Sequence, residues 1–180
     1  MNLRNSVVAG GLVLLALMLG SPVQADRLFE SSEPLEIRIS GPLRQIRYER
    51  EKTESYKATF TSGEDDFDVE LRVRGNKRLN PDVCRNPPLW IDFEPEAIKK
   101  TLYAHQKNLK LVVLCKDTFR YRNYLRIEFL IYQMFNQLTP LSYRVRWLNV
   151  SYVDEQGDSR QEPAFFIERK SRLAKRNELE

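Results

Sequence analysis

Histidine is all but missing from this chain: His105 is the only one in 180 residues. Cysteine is nearly as scarce, with Cys84 and Cys115 alone. A zinc centre needs three or four such ligands at close spacing, so that class of site is excluded. Of the 7 glycines, Gly10, Gly11 and Gly20 fall in the first 25 residues. A glycine-rich phosphate loop is therefore absent, and nothing matches a Walker loop or a serine triad. An excess of one charge is missing too, since 29 Lys and Arg face 25 Asp and Glu. A nucleic-acid-binding domain would concentrate basic residues on one face, so nucleic acid is excluded as a partner. Internal repeats and low-complexity tracts are also lacking.

What is present begins with a leader. "MNLRNSVVAGGLVLLALMLGSPVQADR" carries one positive charge at Arg4, an apolar run from Val7 to Leu19, helix-breaking Gly20 and Pro22, and then Val23-Gln24-Ala25. This is the plan of a secretory signal peptide over residues 1–25, with cleavage after Ala25. The run is shorter than the roughly 20 residues of a spanning helix, so no stable membrane span is expected after cleavage. Loss of Arg4 lowers the formal charge from +4 to +3. A secreted or periplasmic location follows. In an oxidising compartment Cys84 and Cys115 have one intramolecular pairing open to them, so a single disulfide is expected. Closing that loop contributes roughly 3–4 kcal/mol.

Residues 26–180 read as a single α+β domain, either complete or the N-terminal part of a larger protein. "LEIRIS", "YKATF" and "FDVELRVRG" alternate apolar and polar residues as half-buried strands, the last two joined as a hairpin by "TSGEDD". "RYEREKTES" reads as a connection or an exposed strand edge. Gly75 ends the third strand at a backbone bend. Pro87 and Pro88 then lead into the alternating Leu89, Ile91 and Phe93. "PEAIKKTLYAHQKN" suggests a short helix plus a turn, and "LKLVVLC" a strand covered on both faces.

Phe119 to Leu138 is the one long helix, started by Asp117 or Thr118 and stopped by Thr139-Pro140. Leu125, Phe129 and Tyr132 form its apolar stripe, widened by Ile131, Phe135 and Leu138. In "YRVRWLNVSYV" the apolar parity slips near Trp147, which predicts a β-bulge there. "DEQGDS" turns that strand into "AFFIE", and the charged C-terminal stretch is expected to be helical. The fold class is α+β: an antiparallel or mixed sheet with one principal long helix packed on it.

Four constellations are candidates for function. In the loop after the third strand, Arg72, Arg74, Lys77, Arg78 and Arg85 surround Gly75. Guanidinium forks and free N–H groups at a bend hold phosphate or carboxylate; composition favours the blander reading, arginines alternating onto a solvated strand face. Lys110 on an apolar strand and Glu128 in the long helix form a second pair, because a lysine in a buried strand needs a partner. Arg122-Asn123 suits capping, with anion binding as the alternative. Glu168 reads as a solvated strand end.

Taken in order, "LRVRGNKR", "PPLWIDF", "LKL", "RNYLRIEFLIYQMFN", "VRWLNVSYVD" and "FFIERKSRLAKR" resemble the N-terminal lobe of the spore-coat protein H (CotH) kinase-like family. Arg74-Gly75-Asn76, Arg122-Asn123 with Glu128, and Glu168 carry the likeness. The resemblance implies a secreted kinase that transfers phosphate from ATP with Mg or Mn, Lys110 and Glu128 positioning the phosphates. "DEQGDSRQEPA" departs from the family's "NGEY"-like hairpin, and the family's metal-binding aspartates would lie beyond Glu180. Without metal-binding acids, phosphoryl transfer lacks its main charge stabilisation.

Two expectations follow. The first is an exported cell-envelope protein with a binding or structural role, no complete active site and no cofactor, its partner being an envelope protein or an anionic ligand. The alternative is the N-terminal lobe of a secreted kinase. Under either, Arg74, Lys77, Arg78, Lys110 and Glu128 are the candidate nucleotide- or anion-binding residues.

Overall fold

The computed structural model describes residues 27–179, so the leader assigned to residues 1–25 lies outside the described residues. Seven strands form: β1 (Leu35–Gly41), β2 (Tyr56–Ser62), β3 (Asp65–Val73), β4 (Leu89–Phe93), β5 (Asn108–Val113), β6 (Val145–Asp154) and β7 (Ser159–Ile167). They pair in the order β1-β2-β3-β4-β5-β7-β6 and close into a barrel. The closing pair is parallel, β1 on β6, from Leu35 opposite Leu148 to Gly41 opposite Asp154. Every other pairing is antiparallel.

This corrects the α+β expectation. The long helix exists, but the scaffold is a closed barrel and not an open sheet carrying a helix. The physical reason is that apolar–polar alternation looks the same in both. Only the pairing of the first strand with the sixth tells them apart, and no local pattern encodes it.

The alternating apolar residues point inward and fill the barrel. Phe60 sits at its hub, with Phe93 at 5.2 Å and Tyr103 at 5.1 Å, both edge-on, the arrangement favoured by ring quadrupoles. Tyr103 is fully buried and its hydroxyl donates to Ser62 Oγ at 2.7 Å. Burial pushes its pKa up to about 12. Tyr103 lies in the segment expected to be a short helix, yet consecutive turns run there instead. Both Ile98 and Tyr103 enter the core. In a regular helix those two positions would point about 140° apart, so the core overrides the local preference.

Three helices lie outside the barrel. α1 (Leu43–Glu49) occupies part of the stretch expected to be a connection, and its Leu43 and Ile46 join the barrel core. α2 (Phe119–Leu138) has the expected bounds, and Thr118 Oγ caps it by accepting the Tyr121 N–H at 3.4 Å. Arg122 lies within the helix and pairs with Asp117 at 2.7 Å, so neither it nor Asn123 caps. α3 (Lys170–Arg176) closes the described chain.

α2 packs on the outward side of the wall. Leu125 and Phe129 meet Val112, Val145, Phe165 and Ile167, a second and smaller core. The expected bulge at Trp147 is not there, because the β6–β7 ladder is continuous from Val145 opposite Ile167 to Val153 opposite Ser159. The parity slips because the early part of β6 buries its outward face under α2, with Phe129 and Trp147 rings 5.0 Å apart. Its later residues, Leu148, Val150 and Tyr152, are buried inward. The widened helix stripe is also corrected: Ile131, Phe135 and Leu138 are exposed.

Candidate functional site

The basic loop after β3 is held rigidly, and one unforeseen residue does most of the holding. Arg50 follows α1 in the left-handed region at φ 54°. Its guanidinium donates to the carbonyls of Leu79 at 3.0 Å, Cys84 at 2.9 Å and Arg85 at 2.6 Å. Cys84 is bonded to Cys115, which ties the loop to the end of β5. The Arg85 and Asn86 N–H groups both donate to the Cys115 carbonyl. Gly75 starts the loop at φ 92°, where a side chain would strain the backbone.

So anchored, the loop forms one wall of a pocket on the outward face of the barrel. The other walls are β5, α2 and the chain entering β6. The cavity is about 350 Å³, at the small end of ligand sites. Arg74, Lys77, Arg78, Lys110 and Glu128 all line it, so every candidate binding residue is brought together. That gathering needs three separate elements: the end of β3 with its loop, the middle of β5, and the second turn-pair of α2.

Within the pocket the expected pairing of Lys110 with Glu128 does not form. Glu128 Oε2 accepts instead from Arg78 Nη2 at 2.9 Å. Lys110 has no carboxylate within ion-pair distance among the described residues; its nearest acceptor is the Glu168 carbonyl, at a long 3.5 Å. Its ammonium lies 5.3 Å from the Tyr143 ring centre and 5.8 Å from that of Trp90. Burial holds its pKa below the ordinary lysine value, with Arg74 and Arg169 adding to the shift and Glu168 opposing it.

Arg74 is similarly short of partners. Its backbone N–H donates to the Pro88 carbonyl at 2.9 Å, but its side-chain Nε is buried with no hydrogen-bond partner. Burial lowers its pKa, as does Arg78, while Glu128 opposes. Four cations therefore line the pocket against one carboxylate, and that carboxylate is engaged by Arg78.

Two residues adjoining this cluster were not foreseen. Trp90 stands between Arg72 and Lys110 in the β3–β4–β5 register, and the cations of Arg74, Lys110 and Arg169 each lie 5.8 Å from its ring centre. Arg169 donates to Asn108 Oδ1 at 2.6 Å. Asp92, the acid nearest this cluster on β4, is paired with Arg72. Reading Trp90 on the polar parity of its strand would have placed it beside Lys110 once the β4–β5 hairpin was assigned. Tyr132 and Tyr143 line the cavity itself.

The other constellations separate from the pocket. Arg72 is neutralised by Asp92, and Arg85 is exposed outside the cavity. Glu168 is not a solvated strand end but is almost completely buried. It accepts the Arg144 N–H at 3.1 Å and is clasped by Arg176 at 3.0 Å. That pair locks α3 to the end of β7. Among the described residues no group of three or more His, Cys, Asp or Glu side chains stands together to hold a metal ion, and no helix is long and apolar enough to cross a membrane.

No model of a known protein family matches this chain, and no curated protein matches it.

Proposed function

We propose that the protein is an exported binding module whose outer-wall pocket captures a small anionic group, phosphate or carboxylate. One observation carries this reading: Arg74 and Lys110 line the same half-enclosed cavity, and among the described residues neither has a carboxylate within ion-pair distance. A buried cation left without a counter-charge is costly, and an anionic ligand is the natural complement. Guanidinium and ammonium together supply charge-assisted hydrogen bonds worth roughly 1.5–3 kcal/mol each. The Trp90 ring beside both cations and the Tyr143 ring beside Lys110 hold them in place by cation–π attraction. The leader pattern of residues 1–25 and the Cys84–Cys115 bridge support export.

The second reading, the N-terminal lobe of a secreted kinase, draws on the same pocket, which gathers the strand lysine and the helix glutamate. It requires Lys110 and Glu128 to pair around nucleotide phosphates, and Glu128 is instead held by Arg78. The plain anion-binding reading is the better supported.

Calorimetric titration with inorganic phosphate, pyrophosphate and ATP, each with and without Mg²⁺, separates the two. The expected result is metal-independent binding that weakens with salt and falls at least about tenfold in Arg74→Ala or Lys110→Ala, a loss of about 1.4 kcal/mol or more. ATP binding that requires Mg²⁺ would favour the kinase lobe. Equal affinity in wild type and both variants would remove the pocket from consideration.

A further inference from the structure

The face of α2 that points away from the barrel is the most unusual surface of the molecule. Phe119, Ile127, Leu130, Met134, Phe135 and Leu138 are all about half exposed or more, with Phe119 and Leu138 at the two ends 80% and 78% exposed. At 100° per residue they fill the sector opposite Leu125 and Phe129, the residues that hold the helix to the wall. So large an exposed apolar sector suits a second covering surface, the barrel already covering the other side. The stripe is dense from Ile127 to Leu138 and is joined by Phe119 at the other end of the 20-residue helix, with Arg120 and Asn123 in between. It offers on the order of 800 Å² of apolar side chain, above the patch size usual for a monomer and close to what each partner gives a stable interface.

We propose that a second copy of this chain covers this face, with the two α2 helices packed antiparallel across a two-fold axis. The charge pattern selects both the occupant and its direction. Arg120 and Arg126 are exposed in the first half of the helix, whereas the ten residues from Phe129 to Leu138 carry no charge. Parallel packing would set the arginines of both copies against each other. Antiparallel packing lays each Arg120 over the uncharged last turn of the partner, where the carbonyl end of the helix favours a cation. A two-fold contact needs one self-complementary patch, and antiparallel packing sets Ile127 near the partner's Leu130 and Phe119 near the partner's Leu138. Residues near the stripe's midpoint, such as Ile127, then lie close to their own counterparts. This inference does not depend on the anion-binding reading.

Sedimentation velocity of the full chain across the micromolar range tests it. The wild type should sediment at twice the protomer mass. Met134→Glu should weaken the dimer by at least about a hundredfold with an unchanged circular dichroism spectrum, since it buries unpaired carboxylates. Ile127→Cys should give a covalent dimer under mild oxidation, which keeps the proposal testable if the glutamate variant misfolds. For direction, Phe119→Cys protein should crosslink to Leu138→Cys protein and not to itself. A wild type that stays monomeric throughout the range overturns the proposal. So does a monomer that binds phospholipid vesicles through this face, which would assign the stripe to a membrane surface. Self-crosslinking of Phe119→Cys would overturn the antiparallel arrangement.

Discussion

On the inward side of the strands, the apolar side chains from Ile37 to Phe166 are packed, and the buried Tyr103 hydroxyl has its acceptor. On the outward side of the same strands, among the described residues, Arg74 Nε is buried without a partner and Lys110 has no carboxylate within ion-pair distance. The covering helix there also leaves half of its apolar surface bare. Both sides keep a buried polar atom without a hydrogen-bond partner among the described residues, Arg146 Nε and Tyr152 Oη inward and Arg74 Nε outward, but the outward one stands among four cations around a cavity. The difference teaches where stability and function reside in this fold.

The comparison can be broken at the hub. Phe60→Ala should destabilise the protein by about 3–5 kcal/mol in urea unfolding, through lost burial and the cavity left behind. The affinity of the folded fraction for phosphate should be unchanged, because Phe60 faces away from the pocket. Cys84→Ser should cost roughly 3 kcal/mol and, unlike Phe60→Ala, also weaken phosphate binding. The bridge anchors the loop that carries Lys77 and Arg78.

The smallest effect has the opposite sign. Lys110→Met should stabilise the free protein by about 0.5–1 kcal/mol while abolishing most phosphate binding. The reason lies in the lysine's lowered pKa. Where both folded and unfolded states hold the proton, at neutral pH, the burial penalty is present in full. It fades as pH rises through the folded value toward 10.5, the ordinary lysine value. The gain from Lys110→Met should therefore shrink in denaturation curves taken at progressively alkaline pH. A gain that grew with pH would contradict the account.

Much of this wall could be read from sequence, and the failures share a cause. The alternation in β3 and the bounds of α2 follow from local patterning, and both were legible. The closing β1–β6 pair was not, because parallel pairing of distant strands leaves no mark on either. Trp147 suggested a bulge because a strand covered on both faces loses its period, and which helix covers it is a tertiary fact. The turns around Tyr103 defied a helical pattern because the barrel needed Ile98 and Tyr103 together. At the site, the cations that share the cavity were named from residue type, a glycine bend and a lysine on an apolar strand. Their partners were not: Glu128 turned to Arg78, and Trp90 went unnoticed because an indole on the polar parity looks like surface. Arg50 was invisible, since its work depends on carbonyls brought close by the fold.

The most direct test of the central claim is to follow the Arg74 Nε–H resonance by nitrogen-15 NMR while inorganic phosphate is added, using Arg74→Lys for assignment. The account predicts a saturable shift at this one buried guanidinium, well before the exposed arginines respond, because its Nε has no partner until an anion arrives. A resonance that stays fixed while surface arginines shift together would contradict it and leave the pocket an unfilled accident of the wall.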